Sequence, residues 1–118
     1  MKEYEFRQAG KCIADRVKIA DTFMTRFFGL MPKKSLQDGE GLFLQRCSSI
    51  HCFFMKFPID VIYLDKGFKV LCTETVAPWH VGSLVRHARH VLEVEAGRGM
   101  LFITGDAVTV RERKYSDG

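Results

Sequence analysis

Apolar and polar residues alternate along most of this chain in short runs, and the alternation has the two-residue period of a half-buried strand. Over residues 12–20, Ile13, Val17 and Ile19 share one parity while Ala14, Arg16 and Lys18 share the other. Leu42-Phe43-Leu44 opens a second strand after Gly41, and further strands are predicted over 50–55 and 61–64. Asp65-Lys66-Gly67 is a tight hairpin signal, in which Gly67 can adopt the positive φ such loops need. The partner strand returns over 69–76, with Val70, Cys72 and Val76 on one parity. Residues 78–86 form a longer connection, and 88–95 reads as a strand with Leu92 and Val94 opposite Glu93 and Glu95. After a turn or single helical turn at 96–99, short strands over 100–103 and 107–111 flank Thr104-Gly105-Asp106.

One stretch changes period. Met24, Phe27, Phe28 and Met31 recur at helical spacing, Asp21 or Thr22 can cap their helix, and Gly29 and Pro32 end it. Its Met and Phe stripe reads as core packing. The predicted fold is therefore mainly β with one short helix (α+β): a small closed or partly open β-barrel rather than a set of βαβ units. Residues 1–11 read as an N-terminal tail, 12–111 as a single domain and 112–118 as a C-terminal tail.

Composition narrows this further. The chain has 118 residues, 47% hydrophobic and 27% charged, the balance of one globular domain, and its ten Phe supply large apolar area to a core. No apolar run approaches the roughly 18 residues a spanning helix needs, and the start Met1-Lys2-Glu3-Tyr4-Glu5 is charged, without an apolar stretch of signal-peptide type. A cytoplasmic setting is expected, with Cys12, Cys47, Cys52 and Cys72 reduced and acting as small buried hydrophobes. The net charge of +4 permits weak attraction to acidic surfaces, but the basic residues are scattered and no RNA-binding signature occurs. Nucleic acid is accordingly not expected as a partner. Arg86, His87, Arg89 and His90 read as an exposed polar rim, whose arginines would disfavour the charged histidines if the four cluster.

Candidate chemistry concentrates between Ile50 and Asp60. Cys47, His51 and Met55 carry donors suited to a soft metal, but on a straight strand residues four apart stand roughly 13 Å from each other. They cannot share one ion unless the chain bends, so no metal is expected. Cys52 faces away from His51 on a strand, and Cys47 reaches it only if the chain turns at Ser48-Ser49. No glycine-rich phosphate loop is present, and no cofactor is expected. The remaining candidate is a binding cleft. His51, Phe53 and Met55 alternate on one strand face, Asp60 follows where the chain kinks, and Trp79 lies in a loop beyond a neighbouring strand. The ligand-binding candidates are His51, Met55, Asp60 and Trp79. Each has a structural alternative: Met55 as core, Asp60 as a turn cap, His51 as a satisfied structural histidine.

Several blocks together resemble a known family. They are Gly29-Leu30-Met31, Ser49-Ile50-His51, Phe53-Phe54-Met55, Phe57-Pro58-Ile59-Asp60-Val61-Ile62-Tyr63-Leu64-Asp65, Val91-Leu92-Glu93-Val94 with Ala96-Gly97, and Gly105-Asp106-Ala107-Val108. In this order they resemble the DUF192 (UPF0127) family from about residue 12 to residue 110. The resemblance implies a small β-barrel with a helix inserted after the first strand, akin to the cradle-loop barrels, and no established reaction. Arg98-Gly99-Met100 is short where family members place a fuller helix.

The expected function is a non-enzymatic binding or accessory module with a cleft near the His51–Asp60 strand. It would take an unknown small molecule or peptide segment, and an exposed edge strand would allow a homodimer. The alternatives are a hydrolase-like enzyme using Cys47 and His51, or a weak RNA-binding domain.

Overall fold

The structure, a computed structural model, describes residues 2–20, 39–46, 57–78 and 80–114. Among these, seven strands form one sheet: β1 (Tyr4–Gln8), β2 (Lys11–Ala20), β3 (Glu40–Leu44), β4 (Ile59–Leu64), β5 (Val70–Val76), β6 (His90–Glu95) and β7 (Thr109–Glu112). Their order is β5-β4-β6-β3-β2-β1-β7. β2 and β3 run parallel, and every other neighbouring pair is antiparallel.

Apolar material lies on both faces of the central strands, which is why β4 is buried at every residue. Ile59, Val61 and Tyr63 of β4 join Leu42, Leu44, Val76 and Val91 in one cluster. Ile62 and Leu64 point the other way, into a cluster with Phe6, Val17, Phe43, Val70, Leu92, Val94 and Phe102. This second cluster takes Val70 from one end of the strand order and Phe6 from near the other, so the sheet is rolled around it. Each fully buried Phe, Leu or Val in it contributes about 2 kcal/mol of transfer free energy.

The roll does not close into the expected barrel. β5 and β7, the two edge strands, do not pair as strands. Between them lie one isolated bridge, Lys69↔Ala107, and three backbone hydrogen bonds: Val70 N–H to Asp106 O, Gly105 N–H to Val70 O and Val108 N–H to Phe68 O. Gln8 stitches the same seam from β1. Its buried side chain donates to Ile103 O at 2.8 Å and to Asp106 O at 3.1 Å, and accepts from Ile103 N–H at 2.6 Å.

Other expectations are corrected. Residues expected as an N-terminal tail form β1, which pairs with both β2 and β7. Ala9 and Gly10, both at positive φ, make the two-residue turn into β2. In the β4–β5 hairpin the left-handed residue is Phe68 (φ 66°), not Gly67. Asp65 Oδ1 accepts the N–H groups of Gly67 and Lys69, which sets the loop geometry and leaves Phe68 in the αL position of a three-residue turn. The strand expected over 100–103 is instead a 3₁₀ turn at Arg98–Leu101. β7 runs to Glu112, just past the expected domain boundary. The expected helix at 21–31 and strand at 50–55 lie outside the described residues. Among the described residues no helix is long and apolar enough to cross a membrane.

Candidate functional site

Of the four residues proposed for ligand contact, His51, Met55 and Trp79 lie outside the described residues. Asp60 is described, and it lies within β4 rather than at a kink after it. Its carboxylate is 5% exposed and fully engaged. Oδ1 accepts from the Thr75 hydroxyl at 2.6 Å, across the β4–β5 pair. Oδ2 accepts from the N–H groups of Gly97 and Gly99, each at 2.8 Å. The turn closes on the carboxylate because Gly97 takes φ 98° and because Gly99 has no side chain. A Cβ at Gly99 would sit 2.8 Å from Asp60 Oδ2. Asp60 therefore latches the 3₁₀ turn over one end of the rolled sheet.

Four residues along β4 from Asp60, and roughly 13 Å away at strand rise, the other end is built differently. Leu64 pairs with His90 there, and a cavity of about 430 Å³ opens between Arg46, Lys66, Ala88, Arg89 and His90. Arg46 follows β3, Lys66 is in the β4–β5 hairpin, and Arg89 precedes β6. Asp65 and His87 border an adjoining depression that shares Lys66 and Arg89. His90 is held in place by its neighbours. Its ring centroid is 5.0 Å from that of Phe68 and 5.6 Å from that of Phe43, and Nδ1 accepts the Arg46 N–H at 3.1 Å. Burial, and then Arg46 and Arg89, hold its imidazole below the usual histidine range. Of the rim effect expected from Arg86 and Arg89, only Arg89 acts on His90, and it does so after burial and Arg46. Arg46 (φ 56°) and His87 (φ 70°) both hold left-handed backbone without being glycine.

Two further acids matter, Glu93 buried and Glu74 half-buried. Glu93 faces the first apolar cluster between Leu42 and Val61, and burial pushes its carboxyl up to about 8. Glu74 is anchored differently. Burial works to raise its carboxyl, but the Ser83 N–H and hydroxyl and the Tyr63 hydroxyl, at 2.7, 2.7 and 2.9 Å, outweigh it and leave it below its ordinary value. Burial and Glu74 in turn push the Tyr63 hydroxyl up. Cys12 is exposed and Cys72 half-buried, not the buried hydrophobes expected, and partial loss of solvent is the first cause that raises both thiols. Among the described residues no group of three or more His, Cys, Asp and Glu side chains is arranged to hold a metal ion.

A rolled, mainly β sheet with a carboxylate-latched turn at one end is the class of domain these observations define. The chain belongs to the DUF192 family, described as "Uncharacterized ACR", which it matches over residues 4–110. It is 39% identical over 84 residues to the UPF0127 protein PH1112 of Pyrococcus horikoshii, a match covering 69% of this chain and 73% of that protein. It is 36% identical over 92 residues to the UPF0127 protein TK1120 of Thermococcus kodakarensis. That match covers 75% of this chain but spans only 59% of the Thermococcus protein. Among solved structures, a protein of unknown function from Novosphingobium aromaticivorans shares the fold with a TM-score of 0.74 at 19% identity, over 90% of this chain and 82% of that one.

Proposed function

We propose that this domain is a non-enzymatic binding or accessory module, working in the cytoplasm, whose ligand enters at the cavity beside His90. The observation that carries this reading is the cavity itself. Its volume of about 430 Å³ lies in the range of small-molecule sites, and residues from three separate connections form its walls. Two of the residues around it, Arg46 and His87, hold strained backbone, a feature that clusters at binding sites.

In this reading Asp60 supports the sheet from the far end instead of touching ligand. His51 and Met55 follow Arg46 closely in the chain and stay candidates to line the cavity, as does Trp79 in the connection before Ala88. A small molecule is favoured over a peptide segment by the pocket's size, and a second copy of the chain remains a partner to test by its oligomeric state.

The test is a thermal-shift screen of the full chain with small neutral, cationic and anionic compounds, followed by amide chemical-shift mapping of the hits. A ligand of the native state must raise the unfolding midpoint. Hits that move the amides of Arg46, Ala88, Arg89 and His90 and are recovered unchanged support the reading. A hit that is chemically converted, or a screen in which no compound moves those amides, refutes it.

A further inference from the structure

We infer that the cavity beside His90 receives the phosphate group of a small phosphorylated molecule. This rests on the binding-module reading and specifies its ligand class.

The charge distribution points this way. Among the described residues the arginines of the β1–β7 side are paired: Arg7 and Arg111 with Glu5, and Arg113 with Glu3. At the cavity, Arg46, Lys66 and Arg89 form no salt bridge with a described carboxylate, and all three are exposed. The nearby acid, Asp65, turns Oδ1 back into its own loop, onto the N–H groups of Gly67 and Lys69. Three cations from three connections thus converge on one concavity, and among the described residues Asp65, which acts on Lys66 without a salt bridge to it, is the one carboxylate beside them. Bringing like charges together costs free energy unless an anion joins them, and two guanidiniums with an ammonium match a phosphate dianion better than a single carboxylate.

The backbone supports the same assignment. The left-handed turn at Arg46 aims its N–H onto His90 Nδ1, so that nitrogen carries no proton and the neutral ring keeps its donor at Nε2. His90 can then add a hydrogen bond to an oxygen of the anion. Ala88 is buried and gives the cavity an apolar wall on which the remainder of a small molecule can pack. The concavity is a pocket rather than a stripe of cations, which favours a discrete phosphate over a polynucleotide backbone.

The probe is inorganic phosphate, added to the full ¹⁵N-labelled chain and compared with sodium chloride at equal ionic strength. Phosphate is expected to shift the amides of Arg46, Lys66 and Ala88 to His90 saturably, where chloride does not. Arg89→Ala and Lys66→Ala change exposed side chains. Each is expected to weaken phosphate binding by about tenfold, the loss of one charge-assisted hydrogen bond, with an unfolding midpoint in the absence of phosphate at or slightly above the parent's, since one repelling charge is gone. Phosphate shifts that chloride reproduces, or full affinity in both variants, overturn the inference. If a neutral hit of the compound screen saturates these amides and phosphate does not, the phosphate assignment falls while the binding-module reading stands. If neither phosphate nor any screened compound moves them, both fall. If a single-stranded 20-nucleotide DNA binds through these amides with a steep salt dependence and phosphate does not, the site belongs to a nucleic-acid backbone and the inference is overturned.

Discussion

The two ends of the β4–β6 pair handle charge in opposite ways. At the Asp60 end a carboxylate is buried, accepts three hydrogen bonds and holds a turn in place. At the His90 end three cations are exposed around a cavity and form no salt bridge with a described carboxylate, and the backbone beside them is strained at Arg46 and His87. A satisfied buried charge is an architectural device, since removing its partners costs stability and nothing else can reach it. Converging like charges on strained backbone lower stability, a cost that an anion from outside the chain would offset. The difference separates the two roles that the sequence had merged in one segment.

The largest expected effect tests whether burial of an acid is by itself enough to make it architectural. Glu93 lies between the two ends, on the opposite face from Asp60, with Leu42 and Val61 as its cross-strand neighbours. Its carboxyl rises from 4.5 to about 8 through burial. Between those pH values the native state keeps the proton that the unfolded state has lost, so stability falls as pH rises. The contribution is fully present below pH 4.5, and about 5 kcal/mol of it is gone once pH passes 8. Glu93→Gln should therefore flatten the pH dependence and leave the protein more stable than the parent at pH 8. Urea unfolding at pH 5 and pH 8 measures this. A parent whose stability is level or rising over that interval contradicts it.

The Asp60 end should respond in the reverse sense. Asp60→Ala leaves the Thr75 hydroxyl and the N–H groups of Gly97 and Gly99 without their acceptor, at a cost of about 3 kcal/mol. Gly99→Ala inserts a Cβ 2.8 Å from Oδ2 and 3.1 Å from the Asp60 Cβ, an overpacking worth about 2 kcal/mol. The two changes act on one contact, so the double variant should lose clearly less than their sum. Denaturant midpoints of the four proteins form the cycle. Additive losses would mean that the latch is not one unit.

The comparison also explains what could be read from the chain beforehand. Strand identity over 12–20, 61–64 and 88–95 is legible because alternation or a continuous apolar run reports burial directly. β1 is not, since Phe6 and the polar Gln8 are its buried residues and Gln8 is buried for its hydrogen bonds to Ile103 and Asp106, some ninety residues away. Its turn lacks the usual Asn-Gly signal, because Ala9 takes the position that glycine or asparagine normally holds. Gly67 drew attention as the hairpin's flexible residue, but stacking against His90 and Phe43 lets Phe68 carry the positive φ instead. Asp60 is singled out in the sequence for ligand contact, and of the two roles weighed for it the turn-cap alternative is the one its contacts match. The cationic cavity left only a trace in the run from Arg86 to His90. Arg46 and Lys66 are distant in sequence and meet Arg89 only through the β3–β6 and β4–β6 pairings.

The smallest expected effect bears on the strain. His87 is exposed, at φ 70°, and beside the cavity, so His87→Gly relieves a left-handed conformation without removing a buried contact. Glycine also makes the unfolded chain more flexible, which offsets part of the gain. The net expectation is a stabilisation of about 0.5 kcal/mol, and His87→Val should instead lose about 1 kcal/mol because a branched Cβ tolerates positive φ poorly. Ala9 provides the control. It holds positive φ in the β1–β2 turn, where the hairpin's twist requires that conformation, and Ala9→Gly should stabilise by a similar amount. What distinguishes the two positions is the response to ligand. If the cavity is a binding site that depends on its backbone shape, His87→Gly gains stability and loses phosphate affinity together, whereas Ala9→Gly gains stability and leaves affinity as it was. Equal phosphate affinity in both variants would show that the left-handed turn at His87 is a feature of the connection into β6 and not of the site.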